Sequence, residues 1–206
     1  MGKFMRFQFD QLSGSQRYHL ITQTITPRPI AWIMTKNEND SFNLAPFSYF
    51  APVSSDPALL MVSIGNKTAE ISKDTKYNLQ REKECVLHIP SGDVMNAVNE
   101  SAATLSYGES ELPRTGLSLT DFTDTLPRIA QAKVAFHCKL FDLHTLGHSS
   151  FSAIYLEIMA LYLDDDLMMQ KDNHFVIDNK KLNPLSRLGG HDYALLGETV
   201  TIKRPS

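Results

Sequence analysis

Short apolar stretches separated by polar turns run through most of this sequence. Residues 30–35 and 58–64 are almost continuously apolar, and they end at the polar stretch 36–40 and at Gly65-Asn66. Runs of about four to eight apolar residues bounded by turn residues predict buried strands. The same signals predict strands at 41–45, pairing back on 30–35 as a hairpin, and at 85–89, 132–141, 151–163 and 174–177.

Two segments, 72–81 and 93–104, predict short helices. Many short strands with few short helices are typical of an antiparallel barrel with added helices rather than of a βαβ fold. No G-x-G-x-x-G follows a strand, which argues against a dinucleotide-binding Rossmann domain. The sequence therefore predicts one mainly β (α+β) domain over residues 1–206.

Composition narrows the classes of function. With 20 Lys and Arg against 23 Asp and Glu, the formal charge is −3, which disfavours a protein that holds nucleic acid through clustered cations. No apolar run approaches the roughly 18 residues of a membrane span, and polar residues interrupt the first ten residues before a signal sequence could form. We therefore expect a cytoplasmic protein that binds neither nucleic acid nor membrane.

The two cysteines, Cys85 and Cys138, lie far apart, and no Cys-x-x-Cys occurs. Neither a disulfide framework nor a metal site is predicted. Two buried thiols in a reducing compartment are the simplest interpretation.

The start of the predicted helix at 72–81 is a candidate phosphate site. Ser72 or Asp74 can cap the helix, whose first turn offers unpaired backbone N–H groups and a partial positive charge. Lys73 adds a cation and Thr75 a hydroxyl donor. A plain helix cap with a solvated lysine is the alternative.

Residues 43–50 form a second candidate. Pro46 has no N–H for a ladder, so it and the small Ala45 leave backbone groups that suit a flat heteroaromatic ligand. Ser48 can donate to a phosphate, and three aromatic residues can wall the site: Phe47, Tyr49 and Phe50. The alternative is an aromatic core strand with an edge proline.

Arg28 stands between Pro27 and Pro29, which hold it extended at the entrance of a strand. In that conformation it can face an anionic ligand. A surface arginine in a loop is the alternative.

The sequence resembles the flavin reductase-like family of FMN-binding split barrels in segments that occur in the family's order: 27–31, 43–48, 54–57, 72–75 with Asn78, and 182–190 with Tyr193. The last of these is similar to the branch associated with flavoprotein oxygenases, which includes flavoredoxins. The resemblance implies a dimeric, antiparallel, six-stranded Greek-key-like split barrel with FMN at the subunit interface. It implies that FMN is bound by Arg28, Thr35, Asn43, Ala45, Pro46, Phe47, Ser48, Ser63, Lys73, Asp74, Thr75, Asn78, Arg187 and Tyr193. Arg187 and Tyr193 are expected near the flavin, from the same chain or from the partner subunit.

The resemblance implies an NAD(P)H:flavin reductase that passes electrons to flavin or to a partner oxygenase, with NADH or NADPH as co-substrate. A flavoredoxin-type electron carrier and a non-catalytic FMN-binding protein are the alternatives. Many family members carry a Gly-Asp-His run whose histidine assists the nicotinamide, whereas this chain has Gly147-His148-Ser149. If this stretch is a strand, His148 lies one position early and points to the opposite face. We therefore expect slow oxidation of NADH.

Overall fold

The computed structural model describes residues 4–147, 149–171 and 174–205. Its α-helices are α1 Gly14–Thr24, α2 Asp74–Glu82, α3 Met95–Glu100, α4 Leu112–Thr115 and α5 Asn179–Leu182. Its strands are β1 Arg28–Pro29, β2 Ala31–Lys36, β3 Phe42–Phe47, β4 Phe50–Ser55, β5 Ala58–Ile64, β6 Glu84–His88, β7 Leu119–Thr120, β8 Arg128–Ile129, β9 Val134–Thr145, β10 Ser152–Leu163, β11 Met168–Lys171, β12 His174–Ile177, β13 Ser186–Arg187 and β14 Tyr193–Ala194. None of the helices in these ranges has the length and apolar character needed to cross a membrane.

One antiparallel sheet organises the chain, with the strand order β3-β2-β6-β9-β10-β5-β4. The prediction of a mainly β, antiparallel fold with short helices is confirmed. The sheet has seven strands rather than the expected six, because 50–55 also pairs with β5. Pro52 and a register shift beside it obscured this strand in the sequence, and both are tolerated because β4 is an edge strand.

Strand β2 lies at the centre of the core and explains the continuous apolar run. Trp32 and Met34 pack with residues of α3 on one face, whereas Ala31 and Ile33 pack with β5, β6 and β10 on the other. A strand buried on both faces has no need to alternate apolar and polar residues. The neighbouring strand β3 continues past Pro46, which stands opposite Trp32, because an edge strand tolerates a residue that has no N–H to donate.

The helices differ from the predictions at their ends. Helix α2 begins at Asp74 with Lys73 as its N-cap, while Ser72 pairs with Asn66 in an isolated bridge. Helix α3 covers only 95–100, preceded by a 3₁₀ turn at 92–94. Helix α1 had no apolar signal because it is mostly polar and mostly exposed, but Ser13 and Gln16 form a capping box that starts it.

Candidate functional site

An open cavity of about 340 Å³ lies where the β3–β4 turn meets the end of β5, the start of α2 and the C-terminal segment. We call it the main cavity. Seven of the predicted site residues line it: Pro46, Phe47, Ser48, Ser63, Lys73, Arg187 and Tyr193. Its volume falls within the range of about 300–1,000 Å³ that is typical of small-molecule sites.

A smaller cavity of about 130 Å³, which we call the side cavity, adjoins the main cavity and shares Pro46, Lys73 and Ala102 with it. Four more predicted residues line the side cavity: Asn43, Ala45, Asp74 and Thr75. The fold therefore brings both candidate segments, 43–48 and 72–75, to one continuous site.

The start of α2 gives the side cavity donors for an anion. No side chain caps this helix, so the N–H groups of its first turn have no side-chain acceptor. The Lys73 ammonium stands 5.4 Å from the centroid of the Phe47 ring. Desolvation by the surrounding protein, aided by the charge of Lys67, lowers the pKa of Lys73. An anion bound here would counter the effect of Lys67 and favour the charged ammonium.

Asp74 and Thr75 have different surroundings in the same turn. The buried Asp74 carboxylate is neutralised by the Lys67 ammonium, with 2.6 Å between Oδ1 and Nζ. The Thr75 hydroxyl accepts a hydrogen bond from Asn43 Nδ2 at 2.9 Å. Because its acceptor side is occupied, the hydroxyl can turn its proton toward a ligand.

Thr35 and Asn78 lie behind the cavity wall and not at its surface, contrary to the expectation that they bind the ligand. Both are fully buried. Asn78 Nδ2 donates to Thr35 Oγ1 at 3.1 Å and to Asn37 Oδ1 at 2.8 Å, and Asn43 Nδ2 lies 3.4 Å from Thr35 Oγ1. These two residues therefore position Asn43 and the start of α2.

Arg28 lines neither cavity, although the sequence predicted that it faces an anionic ligand. Its guanidinium is buried and donates to the backbone carbonyls of Thr22, Ile25 at 2.7 Å and Leu188 at 2.8 Å. Arg28 thereby ties the end of α1 to the C-terminal segment. The flanking prolines hold the residue extended as expected, but only the tertiary structure directs its side chain inward.

Aromatic rings line one side of the main cavity, beside its opening. Tyr49 and Phe151 stack with 6.2 Å between ring centroids at 27°, and Tyr18 stands 6.3 Å from Tyr49. Phe50, which the sequence predicted as a third wall, lines a neighbouring apolar groove instead. This groove of about 570 Å³ is bounded by Ile21, Ile25, Phe50, Ala51, Met61 and Leu146.

Arg187 and Tyr193 reach the main cavity from the same chain. The Arg187 guanidinium carbon lies 4.5 Å from the Tyr193 ring centroid, and the guanidinium donates to the carbonyls of Gly190 at 2.7 Å and Asp192 at 3.2 Å. The pairing of β13 with β14 sets this arrangement. A cationic and aromatic pair therefore faces the 46–48 segment across the cavity.

Sequence reasoning missed several residues of the two cavities: Tyr18, Gly65, Asn66, Lys67, Asn99, Ala102, Glu111, Ser150 and Phe151. Most lie on loops or helix ends, where no periodicity marks them. The Gly65-Asn66 turn was visible in the sequence as the end of a strand, but nothing local indicated that it borders a site.

Ser149 lies in the turn between β9 and β10 and not on a strand, so the alternation argument applied to this stretch was wrong. Its hydroxyl donates to the Leu146 carbonyl at 2.7 Å and accepts from the Phe151 N–H at 3.2 Å. Ser149 borders the apolar groove. His148 lies outside the described residues.

Comparisons with known proteins agree with this architecture. A family model for the flavin reductase like domain matches residues 23–178. The chain is 38% identical over 206 residues to the uncharacterized protein YwrF of Bacillus subtilis, covering 97% of this chain and 98% of that protein. It is similar to nitrilotriacetate monooxygenase component B from Bacillus cereus, with 28% identity and a TM-score of 0.91 over 98% of this chain and 100% of that one.

A third similarity concerns the fold alone. A Shewanella frigidimarina protein with a split barrel domain superposes with a TM-score of 0.83 at 19% identity, covering 98% of this chain and 100% of that one. Since the family model covers most of the sequence, and the sheet has the split-barrel architecture of such proteins, the chain belongs to the flavin reductase like domain family.

Proposed function

We propose that this protein is an FMN-binding oxidoreductase of the flavin reductase type. The observation that carries the proposal is the junction of the two cavities. A polar side cavity with a cation, a free hydroxyl proton and a helix start opens into an aromatic-walled main cavity. FMN has the same division, with one phosphate at one end and a planar ring system at the other.

The chemistry of the donor set fits this cofactor. Lys73, Thr75 and the first-turn N–H groups of α2 would hold the phosphate, since helix starts and ammonium groups both favour anions. The backbone of 46–48 and the rings of Tyr49 and Tyr193 would contact the flavin ring. The side cavity offers one set of phosphate donors, at the start of α2, which favours FMN over FAD with its diphosphate.

Bound flavin supplies the capacity to accept a hydride and to pass electrons on. The chain's own residues have the simpler tasks of binding and orientation. Asn43 orients Thr75, Lys67 neutralises Asp74, and the stacked rings of Tyr49 and Phe151 line one side of the site. No acid or base needs to be held ready beside the flavin for hydride transfer.

NADH or NADPH would be the electron source, and a partner oxygenase the consumer of reduced flavin. The similarity to nitrilotriacetate monooxygenase component B supports an oxygenase partner. The electron-carrier alternative is favoured by the local bonds of Ser149, which hold its hydroxyl in the turn, at the position where the resemblance implies a histidine in many family members. NADH consumption by the FMN-loaded protein distinguishes the reductase from the carrier.

A homodimer would complete the site. The apolar groove shares Ser48, Tyr49, Ser63 and Phe151 with the main cavity, so a second protomer seated on it would close the open side of the flavin site. An interface of this obligate kind buries more than about 2,000 Å². Ala51→Glu places a charge in the groove and should give a monomer in sedimentation equilibrium. A variant that remains dimeric would show that the dimer interface does not include this groove.

Titration of the apoprotein with FMN tests the cofactor and the phosphate site. Lys73→Ala should weaken FMN binding about ten- to hundredfold, from the loss of a charge-assisted bond worth about 1.5–3 kcal/mol, and Lys73→Ala/Thr75→Ala should weaken it further. Lys83→Asn is the control for loss of a lysine charge on the same helix, because Lys83 is exposed at the far end of α2, has a left-handed backbone that asparagine tolerates, and lines neither cavity. Equal FMN affinity in wild type and in the double variant would show that the FMN phosphate does not bind in the side cavity.

A further inference from the structure

Glu111 is a buried carboxylate in the wall of the side cavity, where an anion is expected to bind. It directly precedes α4 and is only 4% exposed. Its Oε2 accepts the Leu44 backbone N–H at 2.8 Å, which holds the edge strand β3 against the loop before α4. A carboxylate needed only for this bond is an unusual neighbour for a phosphate site.

The net charge of the side cavity depends on whether Glu111 is protonated. Four ionisable side chains line this cavity: Lys67, Lys73, Asp74 and Glu111. Lys67 and Asp74 form an ion pair at 2.6 Å and cancel each other. The net charge of the cavity is therefore set by Lys73 and Glu111. When Glu111 is ionised the cavity has no net charge, and when Glu111 is protonated the cavity carries one positive charge.

The surroundings of Glu111 favour the protonated form more than water does. Burial, first, and the negative charge of Asp74 raise the pKa of Glu111. The Leu44 N–H, its own backbone N–H and the positive charge of Lys67 oppose this rise. A phosphate in the side cavity would add a further negative charge and push in the same direction as Asp74.

We propose that Glu111 determines how strongly the site prefers a phosphorylated flavin over an unphosphorylated one. Its ionised carboxylate opposes the phosphate of FMN but leaves riboflavin unaffected, because riboflavin places no charge in the side cavity. FMN is therefore held more tightly when Glu111 is protonated, and by linkage FMN binding promotes that protonation. This inference rests on the proposed binding of FMN.

The experiment measures dissociation constants of FMN and of riboflavin from pH 5 to pH 8.5, for wild type and Glu111→Gln. Glutamine keeps an oxygen to accept the Leu44 N–H and removes the charge. At pH 8 the FMN-to-riboflavin affinity ratio should be about five- to tenfold higher in Glu111→Gln. The two ratios should converge as the pH falls. The FMN phosphate also loses charge as the pH falls, which weakens its repulsion by an ionised Glu111, so the ratio at pH 8 is the deciding measurement.

Two further variants separate charge from structure. Glu109→Gln removes an exposed carboxylate from the same loop, where it bonds the Ser106 N–H at 2.9 Å, and should leave the ratio as in wild type. Glu111→Ala loses both the charge and the bond to Leu44, and should raise the ratio as Glu111→Gln does. A ratio in Glu111→Gln equal to that of wild type at pH 8, or equal changes for FMN and riboflavin, would overturn the inference. A wild type that binds neither flavin would instead refute the proposed function on which it rests.

Discussion

His88 should make the stability of this protein depend on pH. The ring is fully buried; its Nδ1 lies 3.0 Å from the Trp32 carbonyl, and its Nε2 accepts the Ile129 N–H at 3.1 Å. These two contacts define the neutral tautomer with the proton on Nδ1. The pKa of His88 is lowered from 6.5 to about 4, mainly by burial and also by the Arg128 charge, with the bond to the Trp32 carbonyl in partial opposition.

The direction of the effect follows from the lowered pKa. The unfolded chain binds a proton at His88 near pH 6.5, and the folded protein binds it only near pH 4, so acid favours unfolding between these values. The stabilisation by neutral His88 is fully present above pH 6.5 and is lost as the pH falls to about 4. A difference of about 2.5 pKa units corresponds to about 3 kcal/mol, with about 2 kcal/mol lost by pH 5.

Urea denaturation from pH 8 to pH 4.5 measures this loss against His88→Gln. Other groups also titrate in this range, but they contribute equally to both proteins. The variant should be less stable than wild type at pH 8, and the gap between them should narrow by about 2 kcal/mol between pH 6.5 and pH 5. His191→Gln, at an exposed histidine, is the control and should run parallel to wild type. A gap that stays constant down to pH 5 would refute the reasoning.

Three other outcomes follow from individual contacts. Arg28→Met should lower the free energy of unfolding by about 3 kcal/mol, because three backbone carbonyls, one of them in a fully buried bond, lose a charged donor. FMN affinity should stay within about twofold, and a large loss of affinity without destabilisation would restore Arg28 to the binding site. Ser149→Ala should cost about 1 kcal/mol in urea denaturation through the lost turn bonds, and no change would show that these bonds contribute nothing. Cys85 and Cys138 are both fully buried and face each other across β6 and β9, and their contact and burial raise the pKa of Cys85. A thiol reagent should therefore label both only after denaturation, and fast labelling of the native protein would contradict this packing.

Much of the strand content could be predicted from local patterns. The apolar runs at 30–35 and 58–64 became β2 and β5 within a residue or two, because burial of their side chains depends mainly on residue type. The pattern at 72–75, which predicted a helix start that could bind phosphate, also coincides with the start of α2. Two elements were not predicted because their sequences are polar or interrupted. They are α1, which is largely exposed, and β4, which contains a proline and a register shift.

The sequence by itself determined the fold class, the family resemblance and the two segments that meet at the cavities. Both segments carry their chemistry in residues next to one another, so short-range reasoning could find them. Only the tertiary structure decided where side chains point. Arg28 turned inward because the carbonyl of Leu188, 160 positions away, meets it beside the carbonyls of Thr22 and Ile25 at the end of α1. Asn78 lies behind the wall because α2 packs on β2. Glu111 is held in the wall of the side cavity because its carboxylate accepts the N–H of Leu44, which is 67 positions away in the sequence. Such long-range contacts depend on how the elements pack, and no local pattern of residues records them.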